Sequence, residues 1–448
     1  MKKIFTYSII TLVLIAVGLF FMQSHHHASN DVYSIRERKG PSAQTSEWVS
    51  TRATANNLVE AIKNNPGDIK SRLQLAALFI QEARETGDVA YYNAAAMKYV
   101  NDVLMKEPAN FEALMFKAII QLSQHRFADG LATAMEAQKV NPYNAFVYGI
   151  LVDAYVELGN YTAAVENADK MVSIRPDLRS YSRIAYLREI HGDIAGAIEA
   201  MKMAIEAGMP GNEGTEWCRV QLGHLFEQMG DITAATLQYN TSLENKPGYA
   251  YALTGLGRIA LFNKDHVKAI EYYQKAYDVM PDPSFKEEQS SIYRLQGNYK
   301  KANALAKEAI HKLEEHHDGD DDHGHRHDDE EHNTDKELAT AWLAINNTNE
   351  ALEHALLEYK RRPDNIDVNE LLAWIYYKKD DVNKALPHIK IALKTGSKNP
   401  TLLARAGLVY YKAGENATAK ELLQQALQHN PNIDPALKNE CSSILRNF

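Results

Sequence analysis

Prolines recur in this chain at a fixed interval. Pro108, Pro142 and Pro176 stand 34 residues apart, Pro247 and Pro281 repeat that spacing, and Pro363 and Pro431 stand two such intervals apart. A period of this length means that one supersecondary unit is copied and stacked. The departures also carry information. Pro66 to Pro108 exceeds one interval by 8 residues, Pro176 to Pro247 exceeds two by 3, and Pro281 to Pro363 exceeds two by 14. The last excess is close to the length of a His/Asp tract at 316–332, which therefore reads as an insertion in an otherwise regular stack.

Each interval holds two amphipathic helical patterns, with apolar residues at three- and four-residue spacing. In 216–248, Leu222, Gly223 and Phe226 share a face of a first helix, Gly230 and Asp231 form a turn, and Ala235, Tyr239 and Leu243 share a face of a second. Glycine tolerates the left-handed backbone that ends a helix, small residues such as Gly223 and Ala235 let helices approach, and proline stops the second helix. The pattern recurs at Leu256, Gly257, Ala269, Tyr273 and Pro281, and again at Ala406, Gly407, Tyr410, Ala419, Ala426 and Pro431. It resembles the tetratricopeptide repeat. In 72–108 the extra residues, near 85–93, are expected to lengthen the turn between two helices.

The resemblance implies an all-α, right-handed α-solenoid of about ten helix-turn-helix repeats. One N-terminal transmembrane or signal segment precedes it, and a C-terminal capping helix closes it. The expected organisation is a signal anchor or signal peptide over 1–23, a polar linker over 24–44, solenoid over 45–315, a disordered His/Asp-rich insertion over 316–333, solenoid over 334–431 and the cap over 432–448. Leu437, Cys441 and Ile444 lie at helical spacing in that cap. The stack should be elongated, each pair touching only its neighbours.

Residues 4–22 are apolar and uncharged behind Lys2 and Lys3. The run is long enough to span a bilayer, and the lysines hold the N-terminus in the cytoplasm. An uncleaved anchor and a cleaved signal peptide both fit, since Ala16 and Gly18 are small enough for a cleavage site. Either reading places the solenoid in a bacterial cell envelope, facing the periplasm, anchored in the inner membrane or released.

The net charge is −9, but 316–332 alone carries −7, with 6 of the chain's 17 histidines. No basic face is offered to nucleic acid. Two cysteines, Cys218 and Cys441, exclude a disulfide framework and a polycysteine zinc site. No phosphate-binding loop, nucleophile elbow, H-E-x-x-H or dinucleotide-binding glycine pattern occurs, so the expectation is a protein without enzymatic activity that needs no cofactor.

Two kinds of site remain. The resemblance implies that first helices line a concave groove that takes a protein or peptide. It assigns partner-binding positions to Tyr251, Arg258, Phe262, Trp374, Tyr377, Lys378 and Tyr411. The competing role is transition-metal binding, uptake or buffering. His316, His317, Asp318, Asp320, Asp322, His323, His325, His327 and His332 offer imidazole and carboxylate ligands suited to Zn, Ni or Cu. A calcium loop is excluded, because its glycine and closing glutamate positions hold His323 and Asp329. Histidines outside the tract, His125 and His224 among them, read as surface or packing residues.

Overall fold

A computed structural model describes residues 33–318, 332–429 and 433–448, with the side chains of 316–318 and 429 excluded. Among the described residues there are twenty-two α-helices, one short 3-10 turn (Gly40–Gln44) and no strand. Helix α1 (Ser46–Asn64) stands alone, and ten pairs follow it. They are α2 (Ile69–Thr86) with α3 (Val89–Leu104), α4 (Phe111–Ser123) with α5 (Phe127–Val140), and α6 (Ala145–Glu157) with α7 (Tyr161–Ile174). Next come α8 (Leu178–Ile190) with α9 (Ile194–Glu206), α10 (Glu213–Gln228) with α11 (Ile232–Asn245), and α12 (Ala250–Phe262) with α13 (His266–Val279). The last four are α14 (Pro283–Leu295) with α15 (Tyr299–Asp318), α16 (Asp335–Ala344) with α17 (Thr348–Arg361), α18 (Ile366–Lys378) with α19 (Val382–Ala392), and α20 (Pro400–Lys412) with α21 (Asn416–His429). Helix α22 (Pro435–Leu445) closes the array.

The turns explain the period. The residue before the second helix is repeatedly Asn or Asp, and its side chain accepts from a backbone N–H of the first turn, as Asn160, Asp193, Asp231 and Asp265 do. One residue earlier the backbone is left-handed: Gly159, Gly192, Gly230 and Gly414 adopt it, and so do His125, Lys264, Asn346 and Asp380. Small residues set the helix spacing. A Cβ on Gly223 or on Gly255 would come within 2.4 or 2.6 Å of the Tyr239 ring, so that ring fills the gap between two first helices. In the first pair the extra residues do not lengthen the turn, which is only Gly87 and Asp88; they lengthen the helices to 18 and 16 residues.

The stack is not an open rod. Successive coils of the superhelix touch about six pairs apart. Asn333 donates its N–H to Gln124 O at 3.0 Å, Asn365 Nδ2 donates to Glu157 O at 2.9 Å, and the Tyr161 hydroxyl accepts from Ile366 N–H at 3.0 Å. Arg362 bridges Glu358 of its own coil to Glu157 of the other. Gly159 passes so close that a Cβ there would lie 2.3 Å from the Asp364 carbonyl. A second seam nearer the N-terminus pairs Arg84 with Glu213 at 3.0 Å and Lys246 with Glu85 at 2.9 Å.

The described part of the expected linker, from residue 33, lies on the solenoid instead of hanging free. Arg38 is 5% exposed, held by Glu82 and Glu47 with its guanidinium over the Trp48 ring, and Tyr92 accepts the Arg36 N–H at 2.9 Å. A buried charge of this kind is stable only when paired and hydrogen-bonded. At the other end, Leu437 and Cys441 of α22 are buried against Leu403, Leu408 and Trp374, so the terminal helix caps the last pair. Cys218 and Cys441 are both buried free thiols. Among the described residues no helix is long and apolar enough to cross a membrane; residues 4–22 lie outside them.

The candidate concave binding site

Stacking places the first helices on the inner side of the coil, and the closed seams bring opposite walls together. Charged side chains from distant pairs consequently act on one another. Tyr186 and Glu189 of α8 sense Asp367 of α18, and Glu288 of α14 senses Asp434 at the start of α22, while Glu287 senses Glu337 of the adjoining pair.

The middle of this hollow is organised by α10 and α12. Arg258 Nε donates to Glu227 Oε2 at 3.0 Å, and the Tyr239 hydroxyl donates to Glu227 Oε1 at 2.6 Å. Burial opposes the charge on Arg258, but Glu227 and Tyr239 outweigh it and raise its pKa. Beside it His224 is held well below the ordinary histidine range, by burial and then by Arg258, so its ring is neutral. Gln228 donates to Glu189 at 2.6 Å. Tyr251 meets Tyr249 edge to face at 5.5 Å, and the Tyr249 hydroxyl reaches Glu213 at 3.2 Å. Phe262 is 40% exposed.

Carboxylates gather on the adjoining wall. Burial, then the charges of Glu288, Asp282 and Glu337, push Glu287 up to about 8. Burial also raises Glu288, partly offset by Arg258. Glu370 rises for the same reason, although Arg405 meets it at 3.1 Å. Lys336 lies 3.8 Å from Asp367; burial lowers its pKa and the two acids Asp367 and Glu157 more than restore it.

The seven expected partner-binding residues divide into two groups. Tyr251, Arg258 and Phe262 sit together on α12. Trp374, Tyr377, Lys378 and Tyr411 converge at the C-terminal end, where the chain itself covers them. Trp374 is 8% exposed and stacks on Tyr377 with ring centres 5.0 Å apart. Tyr377 donates to Glu440 of α22 at 2.6 Å, Lys378 stands 4.4 Å over the Trp374 ring, and Tyr411 meets Phe448 at 5.7 Å. Trp374, Tyr377 and Lys378 meet the last helix, and Tyr411 meets the residue that ends the chain. Glu189, Glu227, Glu287 and Lys336 were missed. Carrying the repeat register into α8, α10, α14 and α16 would have found them, because Glu189 and Glu227 stand 4 residues before the turn residues Asp193 and Asp231, and Glu287 and Lys336 stand 11 before Asn298 and Asn347.

Of the nine expected metal ligands, only His332 has a described side chain; His316, His317, Asp318, Asp320, Asp322, His323, His325 and His327 lie outside the described side chains. The His332 ring lies edge-on to His125 at 4.8 Å, and His125 Nδ1 donates to Asn333 O at 2.7 Å. Among the described residues no group of three or more His, Cys, Asp or Glu is arranged to hold a metal ion.

Family models for the tetratricopeptide repeat match residues 147–178, 220–284 and 403–432. The chain is similar to a solved structure of a human IFIT1 dimer with PPP-AAAA, at 16% identity over 78% of this chain and 80% of that one, with a TM-score of 0.49. It is similar also to a tetratricopeptide repeat protein from Parabacteroides merdae, at 15% identity over 60% and 97% with a TM-score of 0.34. A third likeness is to the APC/C hetero-tetramer Cut9-Hcn1, at 14% identity over 84% and 62% with a TM-score of 0.37. No curated protein matches the chain.

Proposed function

Because this chain is a tetratricopeptide-repeat protein, we propose that it is a non-enzymatic scaffold of the bacterial cell envelope that holds a protein partner on its concave face. One observation carries the reading. Side chains from α8, α10, α12, α14, α16 and α18 face a common hollow, where Tyr251, Phe262 and a set of half-buried charged side chains provide both apolar and polar contacts. Aromatic and arginine side chains in such settings are effective anchors. The envelope assignment rests on Lys2 and Lys3 ahead of the apolar run 4–22.

A photo-crosslinking amino acid at position 251, compared with one at exposed Leu237 on α11, tests the face. Partner adducts should form from position 251 and not from 237. Equal adducts from both would defeat the concave assignment. Protease accessibility in intact and osmotically shocked cells tests the compartment, and protection under both conditions would defeat it.

A second reading is favoured by the contact between His332 and His125, which ties one end of the His/Asp-rich insertion to the solenoid. In that reading the tract collects Zn, Ni or Cu. Calorimetric titration of the full chain and of a variant lacking 318–331 should show heat only with the tract. Identical isotherms would retire the metal role.

A further inference from the structure

The concave reading leaves open what chemistry the partner presents, and the inner wall of α8, α10 and α14 narrows it. Most cations in the hollow already have partners: Arg258 has Glu227, Arg405 has Glu370 and Arg84 has Glu213. Among the described residues, Glu287 and Glu288 have no cation at ion-pair distance, and Glu189 is met only by the neutral amide of Gln228. Orphaned polar atoms lie on the same wall. Gln228 Oε1 and His224 Nε2 are closed off from water without a hydrogen bond. The Tyr273 side chain is 1% exposed, and its hydroxyl, directed toward the Glu288 side, lacks a well-formed hydrogen bond. Buried polar atoms left in this state cost free energy until something supplies a partner. Glu189 and Glu288 are acceptors, and a cation brought between Glu287 and Glu288 offsets the burial and like charge that hold the proton on Glu287, so the wall chiefly lacks cationic donors. Lysine and arginine bring three and five donors respectively and no acceptor.

We infer that this wall binds a polypeptide segment carrying spaced lysine or arginine side chains, with Glu189 and the Glu287–Glu288 pair as separate seats for its cations. The seats lie on helices three pairs apart, α8 and α14, and among the described residues no three ligands converge, which suits spaced cationic side chains better than a single divalent ion. An anionic segment would add its charge to acids that are already crowded.

This inference rests on the concave reading, so the experiment separates the two. Fluorescence anisotropy with the full chain at about 0.15 M salt compares a labelled decapeptide alternating lysine and serine with one alternating glutamate and serine. Hydrogen exchange then reports which helices each peptide protects. The cationic peptide should bind, protect α8, α10 and α14, and lose roughly tenfold in affinity in Glu287→Gln/Glu288→Gln, equivalent to about 1.4 kcal/mol. The outer pair Glu136→Gln/Glu206→Gln, exposed on α5 and α9, replaces two carboxyl groups in the same way and should change nothing. Equal losses from the inner and outer pairs would show nonspecific attraction and overturn the inference. Concave protection by the acidic peptide would overturn it while leaving the concave reading intact. Protection by neither peptide, or on outer helices alone, would sink both. Calcium chloride protecting these helices where the cationic peptide does not would overturn it in favour of an ion site.

Discussion

Replacing Arg362 with alanine should open the seam between coils, and the structure sets the size of the effect. The Arg362 side chain is 3% exposed and Glu358 only 2%, whereas Glu157 is 37% exposed. Removing one partner of a buried ion pair costs about 3–5 kcal/mol, because the other charge is left uncompensated. Glu358 keeps Asn333 at 2.8 Å and Arg361 at 3.1 Å, which puts the loss at the lower end. The Glu157 arm meets water and adds less than about 1 kcal/mol. The guanidinium also leaves the Phe127 ring, 4.5 Å away, worth roughly another 0.5–1 kcal/mol. The expected total is about 3.5–5 kcal/mol. Since a long repeat array need not unfold in one step, the assay is native-state hydrogen exchange read at single amides. The Ile366 N–H, bonded to Tyr161 across the seam, should exchange at least roughly a hundredfold faster. Arg188→Ala breaks an exposed 3.9 Å contact with Asp193 and should change little. The double variant Arg362→Met/Glu358→Leu should recover most of the loss, since no unpaired charge remains buried. A loss below about 1 kcal/mol in Arg362→Ala, or an unchanged Ile366 amide, would refute the reasoning.

Three further outcomes are expected. Gly159→Ala places a Cβ 2.3 Å from the Asp364 carbonyl at a φ of +79°, so it should cost at least about 1 kcal/mol and raise the radius of gyration in small-angle scattering; an unchanged radius would count against a closed seam. Glu287 keeps its proton to about pH 8 when folded, against 4.5 as an ordinary glutamate, so its contribution to stability is complete below 4.5, declines as pH rises and is gone above about 8. Calorimetry of Glu287→Gln should therefore show a flatter pH dependence over that window, with a stability gain at pH 8, whereas parallel curves would contradict it. Truncation before Pro435 uncovers Leu403, Leu408 and Trp374 and removes the Tyr377–Glu440 bond, so tryptophan emission should shift to the red and the last pair should exchange at rates near those of an unfolded chain.

Local pattern was readable from the chain because local chemistry makes it. Proline spacing, the Asn or Asp before most second helices, and small residues such as Gly223 recur from one repeat to the next, and all ten pairs follow from them. The cap was readable for the same reason, from Leu437 and Cys441 at helical spacing. The seams were not. They arise from a small rotation added at every repeat, so no single position announces that Gly159 will meet Asp364. Arg38 escaped as well: its segment lacks any periodicity, and its partners Glu82 and Glu47 lie on two different helices. In the groove, the aromatic character of Trp374 and Tyr377 was visible, but their burial beneath α22 depends on where the last helix lands. The acids of α14 needed both the register and the closeness of the opposite wall, and only the first is written in the residues.

Seams between coils also govern passage. Whatever lodges inside has two routes, threading lengthwise from an open end or parting adjacent coils, and the second requires Arg362 to release Glu157 together with the hydrogen bonds that Asn333, Asn365 and Ile366 make across the seam. Entry should accordingly be slow and departure slower, and ionic strength, which screens that ion pair, becomes a lever on residence time as much as on affinity. The repeats then behave as a spring-closed sleeve, and the polar character of the closure is what lets it open without unfolding.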